Sequence, residues 1–447
     1  MAINAGTVWE VRTTGDATNG GGFYNRTAGT SVDYSQQDAA QLSLTDLAST
    51  SASSWLTLTS ATGGFTAAMV GNIIYIASGT NFTAGYYEIT ERTDTNTVTL
   101  DRACGATGDA TDGVGKVGGA TNHPQTIAPR VVANNTIYIA YGTYVKVGAN
   151  TFVLTCSVAG GNATPIKWIG YKTTRGDNPV RDDRPIFDGD SDNSGTGDTT
   201  NILVLSVSQN FFYNFIFKRD TTLTVLSGAV LSYFYNCKFT LGGGNCFNGT
   251  TYFYSSMYYC EVCNYTGSGM STATGSSPNI FYSYIHDNGG HGLRCSHNGC
   301  SIVAISSIFE SNVGCGVSFT RILSLNSIYY NNNGASYDGI LWETDPSGIG
   351  VSMIYNNIFV NNGRYGVNRS GTGKQQASMD YCCYYGNGTA GLNNVTAGVH
   401  DVTSDPLFTN GGANPPDFTL QSGSPCLHMG VPDANWAVNV GLADARY

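Results

Sequence analysis

Short apolar runs separated by small polar residues recur along the second half of the chain. From about residue 200, each copy has a polar residue, a strand-length apolar run and then Asn or Asp, as in residues 306–312 (SSIFESN) and 326–332 (NSIYYNN). Counted at the third position from Ile216, the intervals between copies are 22, 23, 24, 23, 20, 30 and 25 residues. A period of about 20–30 residues without helical periodicity predicts a solenoid built from β-strands.

Each copy predicts one coil of a parallel β-helix, in which every strand pairs with its equivalents in the coils above and below. Asn suits the turns because it tolerates left-handed backbone angles and hydrogen-bonds to its neighbours. Cys237, Cys260 and Cys382 occupy the same repeat position beside the apolar run. Free cysteine behaves as a small core residue, so this position predicts a ladder of buried thiols.

The repeat resembles the right-handed parallel β-helix superfamily of pectate lyases, other polysaccharide-cleaving enzymes and bacteriophage tailspikes. Residues 135–144 (NTIYIAYGTY) are similar to its opening coils, and residues 405–408 (DPLF) and 417–425 to its closing segment. The resemblance implies an all-β fold, with a β-helix of about 8–11 coils over residues 126–400 and a closing segment over 401–447. Since one scaffold hosts many functions, the resemblance specifies the fold and leaves the activity open.

Residues 1–125 differ from the repeat and predict a small β-rich N-terminal domain or cap, which in a virion would attach the protein to the particle. Residues 72–80 and 97–100 have strand-like patterns. Residues 35–38 (SQQD) match a capping pattern and predict one short helix. Residues 104–121 are rich in Gly, Ala, Thr and Asp and predict a linker.

Composition excludes several classes of protein. Aromatic residues make up 12% of the chain, which argues against intrinsic disorder. The chain contains no run of 18 apolar residues, so no transmembrane helix is expected. Lys and Arg number 21 against 31 Asp and Glu, with no basic cluster, so nucleic acid is not an expected partner. The first residues lack a signal-peptide pattern, which predicts that the protein is not exported by that route.

The repeat could place two carboxylates close together on neighbouring coils. Glycoside hydrolysis uses two carboxyl groups about 5–10 Å apart. Asp287 and Glu310 follow the apolar runs of consecutive copies, and neighbouring coils stack at about 4.8 Å. Glu343 and Asp345 lie in the longest interval, where a loop could project over a groove. These four acids are the predicted catalytic residues, and ordinary solvated turn acids are the alternative.

Potential zinc ligands lie close together in one segment, which contains His286, His291, His297, Cys295 and Cys300. Structural zinc sites favour paired cysteines at short spacing, and Cys295–Cys300 together with Cys260–Cys263 can meet the ligand count. The thiol ladder explains the repeated cysteines better, and the chain lacks the tight acidic group that calcium-dependent pectate lyases carry. The sequence therefore predicts no metal and no cofactor.

Aromatic residues concentrate in the coils, where outward-facing tyrosine rings could stack on sugars. The predicted carbohydrate-binding residues are Tyr233, Tyr235, Tyr254, Tyr329 and Tyr330. Core stacking and a subunit interface are the alternatives for the same residues.

Three functions fit these observations. The first is a phage virion protein, namely a tailspike, fibre or surface-decoration subunit, that lies on the virion surface and binds host surface glycans. Such a protein is expected to form a homotrimer and to contact other virion proteins. The second is an extracellular depolymerase, a glycoside hydrolase or polysaccharide lyase, acting on a neutral or weakly charged polysaccharide. The third is a structural rod without a ligand. The sequence favours the first and leaves enzymatic activity open.

Overall fold

Three long parallel sheets wind around a common core. The computed structural model describes residues 3–199, 201–219, 223–225, 231–249, 254–272, 275–295, 299–343, 351–371, 376–413 and 415–430. In these residues, each coil contributes one strand to sheet A, then one to sheet B and one to sheet C. This arrangement confirms the predicted all-β parallel β-helix.

Sheet A contains Val8–Val11, Thr136–Ala140, Ile166–Tyr171, Asn210–Tyr213, Ser232–Tyr235, Ser256–Tyr258, Asn279–Phe281, Ser301–Ile305, Arg321–Leu325, Val351–Tyr355 and Gln376–Asp380, with Gly22–Phe23 antiparallel at its edge. Sheet B contains Thr143–Val145, Ile186–Asp188, Ile216–Lys218, Lys238–Thr240, Glu261–Cys263, Tyr284–His286, Ile308–Glu310, Ile328–Tyr330, Ile358–Val360 and Cys383–Tyr385. Sheet C contains Leu154–Cys156, Leu203–Leu205, Leu223–Val225, Phe247–Gly249, Met270–Thr272, Leu293–Arg294, Val317–Phe319, Ile340–Glu343, Tyr365–Ser370 and Ala390–Asn393.

The remaining elements lie outside the three sheets. An antiparallel barrel is formed by Leu42–Ser49, Thr57–Ser60, Ile73–Thr80, Gly85–Asp94, Thr97–Leu100 and Ala110–Val117. A C-terminal hairpin pairs Phe408–Asn410 with Asp417–Leu420. The helices are single turns: Tyr34–Gln36, Ser51–Ser53, Ala67–Met69 and Arg181–Asp183 are 3₁₀, and Pro124–Ile127 is α-helical. Among the described residues, no helix is both long and apolar enough to cross a membrane.

The middle residue of each short sheet B strand points into the core. Phe309, Tyr329, Phe359 and Tyr384 stack on successive coils, with ring centroids 5.0, 4.8 and 5.2 Å apart. Because parallel strands lie about 4.8 Å apart, in-register aromatic rings meet face to face. The first and third residues of the same strands therefore face outward.

Buried asparagines join the coils at the turn that follows sheet B. The Nδ2 group of Asn288 donates to Asn312 Oδ1 at 2.9 Å, and Asn312, Asn332 and Asn362 each continue the line to the next coil, ending at Asn387. The same Nδ2 groups also donate to backbone carbonyls, such as that of Phe309 from Asn332 at 3.0 Å. The predicted role of Asn at the turns is thus confirmed, and its side chain fixes the coil register.

The predicted thiol ladder is present at the turn between sheets A and B. Cys237, Cys260 and Cys382 are buried and free. The equivalent position in the intervening coils holds Ser283, Ser307, Ser327 and Asn357, which bond from coil to coil. Small side chains fit this position because the turn is tightly enclosed by the strands on either side.

One predicted register is wrong by a residue. The sequence aligned Ile285 with Ile308, whereas the strands pair Tyr284 with Ile308 and His286 with Glu310. Ile285 instead points inward and is fully buried. The copy begins with Tyr282, whose φ of 49° makes it the left-handed turn residue, as Tyr259 and Tyr381 are in their coils. Asn or Ser has this role in other coils.

The first strand belongs to the β-helix, although it precedes the barrel in the chain. Val8–Val11 pairs in parallel with Thr136–Ala140, so the barrel is inserted between two neighbouring strands of sheet A. The predicted linker over 104–121 is wrong, because Ala110–Val117 is a barrel strand paired on both sides.

The helix predicted from residue 35 stops after the turn Tyr34–Gln36, which Asp33 caps. Backbone groups that would continue it bond elsewhere: Gln37 O accepts from Ala120 N at 2.7 Å, and Gln41 N donates to Val117 O at 2.8 Å. Pairing with the end of a barrel strand therefore overrides the local capping pattern.

Replacing Asn332 should destabilise the β-helix. Asn332→Ala removes bonds to Asn312, Asn362 and the Phe309 carbonyl in a fully buried site, and each buried group left unpaired costs about 1–3 kcal/mol. We expect a clear fall in Tm, measured by circular dichroism. The neighbouring Asn333→Ala is the control because Asn333 is exposed, and equal Tm values for both variants would contradict the proposed role of the ladder.

Candidate functional site

A groove of about 470 Å³ lies on the outer face of sheet B. Its floor is formed by outward-facing side chains of four consecutive coils, namely Lys238, Glu261, Tyr284 with His286, and Glu310. Three coil intervals of about 4.8 Å give this floor a length of about 14 Å. Polar residues from separate repeats thus meet because the register aligns them.

Two segments form the walls of the groove. Arg181, Asp182 and Arg184 come from the loop between sheets A and B of an early coil, and Ala413, Pro415 and Pro416 come from the C-terminal hairpin loop. The hairpin packs on the apolar part of the same outer face, where Ile308, Ile328, Ile358 and Val360 replace the polar floor residues. This apolar stretch anchors the hairpin and so sets one end of the groove.

His286 lies at the centre of the floor and links two acidic side chains. Its Nε2 atom is 3.2 Å from Glu261 Oε1, and its Nδ1 atom is 2.8 Å from Asp287 Oδ2. The imidazole ring stacks on Tyr284, with ring centroids 3.8 Å apart. Lys238 Nζ also contacts Glu261 Oε1, at 3.0 Å.

These charges shift the pKa values of the linked pair in opposite directions. Burial alone would lower the pKa of His286, but hydrogen bonds to Asp287, Cys263 and Glu261 outweigh it and raise the pKa to about 11. Burial alone would raise the pKa of Glu261, but His286 and Lys238 lower it to about 2. A carboxylate and an imidazolium therefore stabilise each other on the floor.

Glu310 has the opposite environment from Glu261. Burial raises the pKa of its carboxyl group, and this effect exceeds the influence of Tyr284 and His286, which lower it. The Tyr284 hydroxyl donates a hydrogen bond to Glu310 Oε2, and Ser311 Oγ lies 3.3 Å from Oε1. One groove thus contains a carboxyl group that holds its proton more tightly and another that releases it readily.

The four predicted catalytic acids fall in different places. Asp287 and Glu310 both line the groove, as their spacing suggested, although His286 rather than Asp287 pairs with Glu310. Glu343 lies on sheet C, where it accepts a hydrogen bond from Ser318 Oγ at 2.7 Å. Asp345 lies outside the described residues.

The predicted sugar-binding tyrosines also divide. Tyr329 is fully buried in the core stack, so its predicted contact with a sugar is wrong. Tyr330 packs against Phe418 of the C-terminal hairpin, with ring centroids 5.2 Å apart. Tyr233 and Tyr235 lie on the outer face of sheet A, where Tyr235 is 38% exposed.

Tyr254 is half-buried between two strands, before Ser256–Tyr258. Its predicted contact with sugar, like those of Tyr233 and Tyr235, stays a prediction. None of these three tyrosines is among the residues that line the sheet B groove.

The candidate zinc ligands between His286 and Cys300 do not come together in one site among the described residues. Cys295 and Cys300 are joined by a disulfide, and His297 lies outside the described residues. His291 is neutral at ordinary pH because burial lowers its pKa to about 4, and its Nδ1 atom accepts a hydrogen bond from Cys315 N at 3.0 Å. Of these candidate ligands that the structure describes, His286 is the one that lines the groove.

Sequence reasoning missed Glu261, and it considered Cys263 only as half of a cysteine pair with Cys260. Glu261, Cys263 and His286 form a group whose ligand atoms all lie within 4.8 Å of one another. The signal was present in the copy at residues 259–262, which aligns with the other repeats. The positions that flank an inward residue in a three-residue strand both face outward, and applying that rule there would have found both residues.

Comparisons with known proteins identify the fold class. No family model matches the chain, and no curated protein matches it. Among solved structures, the chain is similar to pectate lyase Pel9A, with a TM-score of 0.55 and 12% identity over 71% of this chain and 88% of that one. This similarity confirms the right-handed parallel β-helix.

An alginate lyase from Paenibacillus sp. str. FPU-7 also matches, with a TM-score of 0.43 and 12% identity over 62% of this chain and 96% of that one. A rhamnogalacturonan lyase matches with a TM-score of 0.35 and 12% identity over 71% of this chain and 91% of that one. The activity has to be argued from the groove itself, because one scaffold hosts many functions.

The C-terminal wall of the groove should depend on Phe418. Its ring is buried and contacts Phe408 and Tyr330, so Phe418→Ala removes the main apolar anchor of the hairpin. We expect faster cleavage near residues 405–425 in limited proteolysis, because truncating a buried Phe costs about 3–5 kcal/mol. Val399→Ala, at a residue that is 91% exposed, is the control, and equal cleavage rates would show that the anchor lies elsewhere.

Proposed function

We propose that the protein binds a polysaccharide in the sheet B groove and cleaves its glycosidic bonds. The observation that carries this proposal is the presence of Asp287 and Glu310 in one groove, with burial raising the pKa of Glu310. Glycoside hydrolysis uses one protonated and one ionised carboxyl group on either side of the scissile bond.

Glu310 is the proposed general acid. It gives its proton to the oxygen of the leaving sugar as the glycosidic bond breaks, and burial favours the protonated form that this step needs. The hydrogen bond from Tyr284 holds its carboxyl group in place. After cleavage, Glu310 regains a proton from solvent.

Asp287 is the proposed second carboxylate. It lies on the coil next to Glu310, and its backbone N donates to Glu310 O at 3.2 Å. Its side chain is 52% exposed, which leaves it accessible to a water molecule or a sugar. As a base it takes a proton from the water that attacks the anomeric carbon, while His286 Nδ1 orients its other oxygen.

The groove suits a neutral or weakly charged chain. The cationic groups of Arg181, Arg184, Lys238 and His286 are offset by Asp182, Glu261, Asp287 and, when it is ionised, Glu310. Sugar hydroxyl groups can donate to the carboxylates and accept from the cationic groups, so the mixed lining supplies partners along its length.

Elimination is the second candidate reaction. Arg181 and Lys238 offer cationic partners for a uronate carboxyl group, and two of the similar structures are named pectate lyase and alginate lyase. In that reaction a base removes the proton beside the carboxyl group, and the leaving sugar departs as a double bond forms. The products therefore distinguish the two reactions.

We also propose that the cleaving or glycan-binding β-helix is a subunit of a phage virion, located on the particle surface as a homotrimer. Exposed apolar side chains along the outer face of sheet A support self-association: Tyr235 is 38%, Met353 45% and Val351 61% exposed. An extracellular enzyme is the alternative setting. The proposed partners are a host surface glycan and other virion proteins.

Replacing the acids tests the cleavage reaction. Glu310→Gln and Asp287→Asn should each lower the rate by about 10²–10⁴-fold, because each removes one half of the acid–base pair. Reducing ends measure cleavage by either reaction, and ultraviolet absorbance of the new double bond appears only with elimination. The substrates are neutral bacterial surface polysaccharides, polygalacturonate and alginate. Glu343→Gln is the matched control on sheet C, and unchanged rates in E310Q would refute the assignment.

The native mass tests the proposed trimer. Light scattering on the purified chain should give three times 47.3 kDa. Introducing charge with Met353→Glu should shift the mass towards the monomer, because a charge inside an apolar interface is costly. A monomer of the unchanged protein would favour the extracellular enzyme over the virion subunit.

A further inference from the structure

We infer that Glu261, Cys263 and His286 form a binding site for a zinc-type divalent transition metal ion on the groove floor. The three side chains come from two consecutive sheet B strands, Glu261–Cys263 and Tyr284–His286. This site goes beyond the proposed cleavage reaction, because metal binding is measured without any polysaccharide.

Two of the three donor–donor distances already match a tetrahedral site, and the third, between Cys263 and His286, is within 4.8 Å. Glu261 Oε1 lies 3.2 Å from His286 Nε2 and 3.6 Å from Cys263 Sγ. With usual zinc–ligand distances, the edges of a tetrahedron are about 3.4 Å between N and O and about 3.6 Å between S and O. The side chains therefore need little movement to close around an ion.

His286 is oriented by a carboxylate, as histidines that bind metal ions commonly are. Asp287 Oδ2 lies 2.8 Å from His286 Nδ1, which directs the Nε2 atom towards Glu261 and Cys263. Carboxylate–histidine pairs of this kind fix the ring orientation and tautomer of a zinc ligand. The stacked Tyr284 ring further restricts rotation of the imidazole.

The donor set selects the class of metal. Thiolate and imidazole favour zinc and related transition metals, whereas calcium and magnesium prefer oxygen ligands. Three protein ligands leave the fourth tetrahedral position for a water molecule or a sugar hydroxyl, as in catalytic zinc sites. Glu261 and His286 line the groove, so that position is reached from it.

One ammonium group has to move and two ligands have to lose protons when the ion binds. His286 gives up the Nε2 proton that faces Glu261, and Cys263 gives up its thiol proton, both to solvent. Lys238 Nζ lies 3.0 Å from the same Glu261 oxygen that would bind the metal. The Lys238 side chain is 27% exposed and flexible, so the ammonium group can turn towards the groove. No buried group is left unpaired by that movement, since the carboxylate exchanges one cation for another.

Cobalt(II) is the probe because its spectrum reports the ligands. The full chain is freed of metal with a chelator and titrated with Co²⁺ at mildly alkaline pH, since protons compete for the ligands. We expect one Co²⁺ per chain, tetrahedral visible absorption, a near-ultraviolet thiolate band and displacement by Zn²⁺. Absence of stoichiometric binding would overturn the inference.

Matched cysteine variants locate the ion. Cys263→Ser should abolish the thiolate band and weaken binding about tenfold or more. Cys382→Ser should change neither, because other coils carry Ser at the ladder position of Cys382. A thiolate band that persists in C263S would place the metal elsewhere and refute the site.

A second variant tests the site in case C263S does not fold. Glu261→Gln keeps the thiol and the strand, and it should weaken Co²⁺ binding about tenfold or more while retaining the thiolate band. Equal affinity in E261Q and the unchanged protein would remove Glu261 from the site. Because these readouts need no substrate, failure of metal binding leaves the proposed cleavage reaction standing, and inactivity leaves the metal site standing.

Discussion

The buried asparagine line after sheet B is the constraint on which the rest of the structure depends. Asn312, Asn332 and Asn362 bond to the next coil through side-chain amides that solvent does not reach. A slip of one residue would break every bond in the line and turn inward side chains outward. The outer face of sheet B therefore has one arrangement of side chains, and the groove inherits its geometry from that register.

The fold could be predicted because the structural repeat appears in the amino-acid sequence as a recurring pattern of apolar and polar residues. Strand-length apolar runs and polar turn residues mark the coils. The turns before and after Ile328–Tyr330 have Asn326 and Asn331 at the left-handed angles that this residue type suggests. Long-range pairing was not predictable in the same way. Val8–Val11 joins a strand more than a hundred residues away, and nothing in the local pattern at Ala110–Val117 distinguishes a barrel strand from a linker.

The site was predictable only in part, for a reason that lies in the strand length. A three-residue strand has one inward and two outward positions, so an error of one residue exchanges the two faces. That error hid the pairing of His286 with Glu310. Tyr329 was misplaced although its register was right, because a tyrosine at the middle position faces the core. Asp287 was found because turn acids remain exposed under either register. Glu261 was missed because its copy of the repeat is the least regular.

His286 connects the two chemistries that the groove supports. Its ring nitrogens contact Glu261 and Asp287 on opposite sides, so any cation held between these acids, a proton or a metal ion, also orients the proposed catalytic carboxylate. A cation flanked by two carboxylates is stabilised by more than one partner, which offsets the cost of burying His286 and Glu261. The imidazole therefore makes a single unit of residues that lie on different coils. That unit can form only where the coils are stacked in register.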